Sequence, residues 1–85
     1  MAYRIEFAPR ARRDLKKLPA DVRSRITPHI DALAQNPRPS GVVKLSAEED
    51  TYRIRVGAYR VVYEIRDAVL LVTIVKIKPR GDVYR

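Results

Sequence analysis

Three arginines, Arg53, Arg55 and Arg60, stand within the stretch Tyr52-Arg53-Ile54-Arg55-Val56-Gly57-Ala58-Tyr59-Arg60-Val61-Val62-Tyr63. Guanidinium groups gathered in this way suit one kind of chemistry. They hold a phosphate through paired N–H donors and stabilise extra negative charge placed on it. They do not exchange protons near neutrality, because the guanidinium pKa exceeds about 12. Other chemistries lack their parts. There is no cysteine, so thiolate nucleophiles, thiolate metal sites and disulfides are excluded. Ser40 and Ser46 have no histidine or acid at a spacing that would activate them. The one histidine, His29, lies beside apolar positions of a predicted helix and reads as structural or exposed. A basic tail adds Lys76, Lys78, Arg80, Tyr84 and Arg85. A tyrosine in such a tail can stack on a base or donate its hydroxyl to a phosphate, or else pack on the domain edge.

Whether the arginines act together depends on strand register. Gly57-Ala58 suits a two-residue type II′ hairpin turn, which pairs Val56 with Tyr59 and sets every later pair. Arg55 then opposes Arg60, and Arg53 opposes Val62. Tyr52, Ile54, Val56, Tyr59, Val61 and Tyr63 share the other face and can pack on helices. Two like charges directly across an antiparallel pair cost a few tenths to about 1 kcal/mol. A bound anion would relieve that cost, whereas Glu64, on the same face, offers one carboxylate against three guanidiniums. If Arg66-Asp67 is a second two-residue turn, Thr73 faces Arg60, and Val69, Leu71 and Val75 line the cationic face. A strand apolar on both sides belongs inside a sheet.

The elements that would carry these residues follow in order. Tyr3, Ile5 and Phe7 alternate with Arg4 and Glu6, as in a half-buried strand. Pro9 opens a helix that runs through Arg10–Leu18 and stops at Pro19. A second helix places Val22, Ile26, Ile30 and Leu33 on one face. Pro28 predicts either a kink in it or a fresh start capped by Thr27. The run 36–41, Asn-Pro-Arg-Pro-Ser-Gly, is a loop. Val42–Leu45 is a candidate strand, followed by an acidic connection at 47–50. Thr51–Val56, Tyr59–Ile65 and Ala68–Ile77 form an antiparallel meander rich in Val, Ile and Tyr. The expected class is α+β, an N-terminal strand and a two-helix hairpin packed on one face of a twisted antiparallel sheet.

Bulk properties agree with one domain spanning 1–85 and one core. Eighteen Lys and Arg against ten Asp and Glu give a net charge of +8 and a pI near 10.3. So basic a chain points to a polyanionic partner, nucleic acid or an acidic protein. The first residues carry no signal-peptide pattern, and the most apolar stretch, Ala68–Val75, is too short to span a bilayer, so a cytoplasmic protein with no membrane partner is expected.

The start Tyr-x-Ile-x-Phe, the helical hairpin, Lys44-Leu45, the segment Tyr52 to Tyr63 and the terminal Asp82-Val83-Tyr84 together resemble the RelE toxins of the RelE/ParE toxin–antitoxin superfamily, over essentially the whole chain. The resemblance implies a ribosome-dependent mRNA endoribonuclease that cuts mRNA in the decoding site and so inhibits translation. It also implies a RelB-like antitoxin as partner. The implied reaction is attack of a ribose 2′-hydroxyl on the adjacent phosphate, with neither metal nor cofactor. Arg55 and Arg60 would bind the scissile phosphate, with Arg53, Lys44, Lys78 and Arg85 holding RNA. Arg80, or Lys78 in its place, would assist the leaving 5′ oxygen. Tyr84 would stack on a base or help remove the 2′ proton. RelE toxins often carry lysines where this chain has Arg53 and Arg55, and many carry histidine where it has Pro79. Two alternatives have the same residues to draw on: a ParE-like toxin that inhibits DNA gyrase, and a nucleic-acid-binding module without chemistry.

Overall fold

The computed structural model describes residues 2–45 and 50–79. The chain opens with β1 (Arg4–Phe7), a short strand whose Arg4 and Glu6 face solvent and pair at 3.1 Å, while Ile5 and Phe7 pack on the core. Helix α1 (Pro9–Lys17) starts with proline at its first turn, where no N–H is needed. Pro19 separates it from α2 (Ala20–Ala32). The second helix runs unbroken through Pro28. Thr27 does not cap a new helix; its hydroxyl donates back to the Arg23 carbonyl at 2.8 Å. Ile26, Ile30 and Leu33 are each 1% exposed and Val22 packs beside them, so the apolar face continues as its spacing requires.

Four further strands complete a five-stranded sheet: β2 (Val43–Lys44), β3 (Thr51–Val56), β4 (Tyr59–Arg66) and β5 (Leu71–Pro79), in the spatial order β1-β5-β4-β3-β2. The candidate strand Val42–Leu45 shrinks to two paired residues, and the acidic connection lies outside the described residues except for Asp50. One pair departs from an antiparallel sheet: β1 lies parallel to β5, with Ile5 beside Val72. About sixty residues separate these strands, so no tight turn dictates their relative direction. Strand β5 lies between β1 and β4, as its two apolar sides predict.

The β3–β4 hairpin has the expected register throughout, from Val56 opposite Tyr59 to Tyr52 opposite Tyr63. Gly57 has φ of 59° and is the one turn residue with positive φ, as a type II′ turn requires. The β4–β5 connection differs. It is a single 3₁₀ turn, Asp67–Val69, closed by Leu70 in the left-handed region at φ 52°. Arg66 therefore pairs with Leu71, and Val69 belongs to the turn rather than to the cationic face. A bulge follows: Tyr63 pairs with Ile74 but Val62 with Lys76, which leaves Val75 without a partner on β4. Lys78, not Thr73, thus opposes Arg60, and Thr73 opposes Glu64.

The bulge has a large effect on what faces where. Side chains alternate along a strand, so one extra residue inverts the faces beyond it. Before it, Val72 and Ile74 point into the core, both fully buried. After it, Ile77 takes the core face at 4% exposure, and Lys76 and Lys78 move to the opposite face. Without it the two lysines would point under the helices. Beyond the end of β1, the Ile77 N–H donates to the Asp14 carboxylate of α1 at 3.0 Å, anchoring the helix at the re-phased segment.

Both helices pack on one side of the sheet. Ala11, Ile26, Ile30 and Leu33 meet Tyr52, Ile54, Val56, Val61, Tyr63, Ile65, Val72, Ile74 and Ile77. Tyr63 is fully buried and its hydroxyl donates to the Pro37 carbonyl at 2.7 Å; burial pushes that hydroxyl up to about 12 and keeps it a neutral donor. The 36–41 loop is held a second time by Arg38, which grips Asp67 at 2.8 and 3.2 Å and lies 5.2 Å from the centre of the Tyr52 ring.

Candidate nucleic-acid interface

The helices leave the other side of the sheet open, and there the side chains form two rows running across β3, β4 and β5. One row is Arg55, Arg60 and Lys78, each directly opposite the next; the other is Arg53, Val62 and Lys76. Neighbouring strands lie about 4.8 Å apart, so the Cα atoms of a row span about 10 Å, the reach of one phosphate and its flanking riboses. Arg55 is exposed, whereas Arg53, Arg60, Lys76 and Lys78 are half-buried. Val62 is only 6% exposed though it lies on this open face, between Arg53 and Lys76. Such burial fits aliphatic stems laid over it with their charged ends turned outward.

The electrostatics of the face are one-sided. Among the described residues the ion pairs are Arg4–Glu6, Arg10–Asp14 and Arg38–Asp67, and none involves the five cations of the two rows. Glu64 is on the same face but stands between Thr51 and Thr73, four residues along β4 from Arg60, so it does not neutralise them. At the centre of the first row the Nε of Arg60 is buried with no hydrogen-bond partner among the described residues. A buried donor left unpaired costs about 1–3 kcal/mol, more when charged, and an oxyanion seated there would accept from it. Among the described residues no three His, Asp or Glu side chains converge as a metal site would require.

The structure brings together Arg53, Arg55, Arg60 and Lys78 and does not bring Lys44 to them. Lys44 pairs with Tyr52, so it shares that residue's side of the sheet, and its Nζ lies 5.9 Å from the Tyr52 ring centre. Arg80, Tyr84 and Arg85 lie outside the described residues. His29 is exposed on α2, in the helical layer. Lys76 joins the site only because of the bulge. Its signal in the sequence is a break of phase, apolar at 72 and 74 but then at 75 and 77. Between α2 and β3 a second feature opens, a groove of about 550 Å³ lined by His29, Leu33, Pro39, Val43 and Ile54 among others and reaching Arg53 and Arg55.

Comparison with known proteins places this arrangement. The family described as the ParE toxin of the type II toxin–antitoxin system parDE matches residues 5–84. Toxin RelG of Mycobacterium tuberculosis is 33% identical over 86 residues, covering 100% of this chain and 99% of its own. The mRNA interferase toxin RelE of Escherichia coli K12 is 30% identical over 88 residues, covering 99% and 92%. Among solved structures, the archaeal RelE–RelB complex from Pyrococcus horikoshii OT3 superposes with a TM-score of 0.84 at 34% identity, over 95% of this chain and 98% of that one. The E. coli RelBE toxin–antitoxin complex gives 0.80 at 28% identity, over 92% and 96%. Sequence and fold agree along nearly the whole chain, and it belongs to the ParE-type toxin family of type II toxin–antitoxin systems, as a RelE-type toxin.

Proposed function

We propose that this toxin is an endoribonuclease that cleaves mRNA in the decoding site of the ribosome and thereby stops translation. The observation that carries the reading is the opposed row Arg55–Arg60–Lys78 with an unpartnered, buried Nε at its centre. A phosphodiester seated over Arg60 meets N–H donors and positive charge from both neighbouring strands. Attack of the 2′-hydroxyl on that phosphate adds negative charge to its non-bridging oxygens, and fixed guanidiniums stabilise the added charge more than they stabilise the ground state. Products are a 2′,3′-cyclic phosphate and a free 5′-hydroxyl, and the cationic rows supply the charge stabilisation without a metal. Arg53 and Lys76 hold the flanking backbone. Arg80 lends charge near the leaving oxygen, Tyr84 stacks on a base or helps remove the 2′ proton, and Arg85 adds backbone contact. Lys44 contacts RNA only where the strand comes round the β2 edge.

In the cytoplasm, where translation runs, such a toxin needs restraint. Relatives solved as RelE–RelB complexes support a RelB-like antitoxin as its partner. An acidic, amphipathic antitoxin segment that folds on binding fits the apolar groove beside β3 and the charge at its rim.

The test uses a reconstituted translation complex with an empty decoding site and maps mRNA 5′ ends by primer extension. Cuts inside the decoding-site codon, present only with ribosomes, are the expected result. Arg60→Ala should weaken them about 100- to 1,000-fold, the usual loss for one oxyanion-stabilising donor. Absence of cleavage where E. coli RelE cuts would exclude the nuclease and leave gyrase inhibition, the activity of ParE-like relatives, as the next assay.

A further inference from the structure

Beyond the two cationic rows the open face changes its chemistry along the strands. Tyr63 and Ile65 are buried in the core, so Glu64 between them points to the open side, directly between Thr51 of β3 and Thr73 of β5. An apolar band separates this row from the cations. Val62 floors it, and Val75, the extra residue of the bulge, follows the buried Ile74 and so turns to the same side. From Arg60 toward Glu64 the order is therefore guanidinium, apolar floor, then hydroxyls and a carboxylate. A nucleotide splayed out of its stack has the same order along its length: phosphate, then ribose and base plane, then the hydrogen-bonding edge of the base. Four residues of strand separate Arg60 from Glu64, about 13 Å and on the scale of one such nucleotide.

A carboxylate on a face that holds RNA repels phosphate, and it gains only where it meets a donor. Glu6, across from Thr73 on β1, turns its charge to Arg4 at 3.1 Å, whereas no ion pair among the described residues engages Glu64. Glu64 instead lines an open depression of about 350 Å³ with Asp50, Thr51 and Arg66. An ionised carboxylate only accepts hydrogen bonds. Adenine, cytosine and guanine each carry an exocyclic amino group that would donate to it, and uracil carries carbonyl oxygens in place of one.

We propose that Glu64 is a specificity-determining residue that accepts a hydrogen bond from the exocyclic amino group of a base flanking the scissile phosphate and so disfavours uracil there, an assignment that rests on the endoribonuclease reading. The phosphate sits on Arg60, the base lies over the band of Val62 and Val75, and its edge meets Glu64. Uracil in that place sets a carbonyl oxygen against the carboxylate, two acceptors with no proton between them. Glu64 touches no bond that forms or breaks, so it governs which codon is cut and leaves the chemistry of the cut to the cationic rows.

The experiment measures single-turnover cleavage on ribosomes for two series of mRNAs, in which the nucleotide on the 5′ side or the 3′ side of the cut is each of the four bases in turn. In one series the wild type should cut the uridine codon about 10- to 100-fold more slowly than the best codon, the range set by one hydrogen bond to a charged group. Glu64→Ala should bring the four codons of that series within about 3-fold of one another. Glu64→Gln, whose amide can donate to a uracil carbonyl, should restore the uridine codon in particular. Replacing adenine at that position by purine, which lacks only the amino group, should slow the wild type and leave Glu64→Ala unchanged. Ratios between codons cancel any general effect of removing a negative charge, and the purine substitution tests the wild type without any variant. Codon ratios that are the same in wild type and Glu64→Ala, or a wild type indifferent to the purine substitution, would overturn the assignment while leaving the nuclease intact. A wild type that cuts no codon in either series would instead remove the endoribonuclease reading itself. Circular-dichroism melts check that each variant is folded.

Discussion

Arg55 and Arg60 face each other across an antiparallel pair with no described carboxylate between them, and that arrangement is a liability for the free protein. Arg55→Thr should raise stability by a few tenths to about 1 kcal/mol, which for a domain of this size shifts the melting temperature by a few degrees. The gain should shrink as salt is added, because the repulsion it relieves is screened. Cleavage should fall at the same time. Calorimetry at low and high salt, beside the ribosome assay, checks both halves. A variant neither more stable at low salt nor less active would show that the two guanidiniums diverge into solvent and do not share an anion. The arginine positions were readable from the sequence because Gly57 permits a positive φ that fixes the hairpin phase, and every later pair follows from it. Arg38 was not readable. Its value lies in touching Asp67 and Tyr52 at once, residues 29 and 14 positions away, and no local pattern announces such a contact.

Among the elements, β5 carries the greatest consequence for function, and its two ends differ in how far they could be foreseen. The 3₁₀ turn before it contains no Gly, Pro or Asn and places Leu70 at positive φ, so tertiary packing rather than turn chemistry sets its length. The bulge, by contrast, is foreshadowed by the shift of apolar positions, and β1 gives no hint of its direction because its partner is so distant in the chain. Asp14 secures the bulged segment through the Ile77 N–H. Asp14→Ala should cost about 1.5–3 kcal/mol, as expected for a hydrogen bond to a charged group, and a urea titration reads it directly. The opposite end of the sheet offers a pH handle. Hydrogen bonds from Arg38 and then Tyr3 hold the Asp67 carboxyl at about 2, well below its ordinary value. A depressed folded-state value means the contribution is complete above the unfolded carboxylate value near about 4 and fades as pH falls toward 2. Urea midpoints measured from pH 5 to pH 2 should therefore drop more steeply for the wild type than for Asp67→Asn. Parallel curves would mean that the contact adds nothing in solution.

For the whole molecule, the open face and the net charge of +8 make salt the most revealing variable. Binding to programmed ribosomes should weaken with salt at a slope of about −0.7 to −0.9 per phosphate neutralised, and replacing one face cation by alanine should reduce the slope by about 1. Slopes unchanged by Arg53→Ala and Arg60→Ala would place the RNA elsewhere. Among the described residues no helix is long and apolar enough to cross a membrane. The same face also bears on how the protein survives at high concentration. Among the described residues strand β2 pairs only with Tyr52 and Arg53, which leaves Ile54 to Val56 of β3 without a strand partner on that side. Bare edges template pairing between chains, and projecting charge is one of the ways proteins discourage it. Arg55 lies within this stretch, and Arg53 stands beside it at the last pair with β2. The residues proposed to hold RNA would therefore also discourage copies of the toxin from pairing, and a variant stripped of them should melt higher yet cloud sooner.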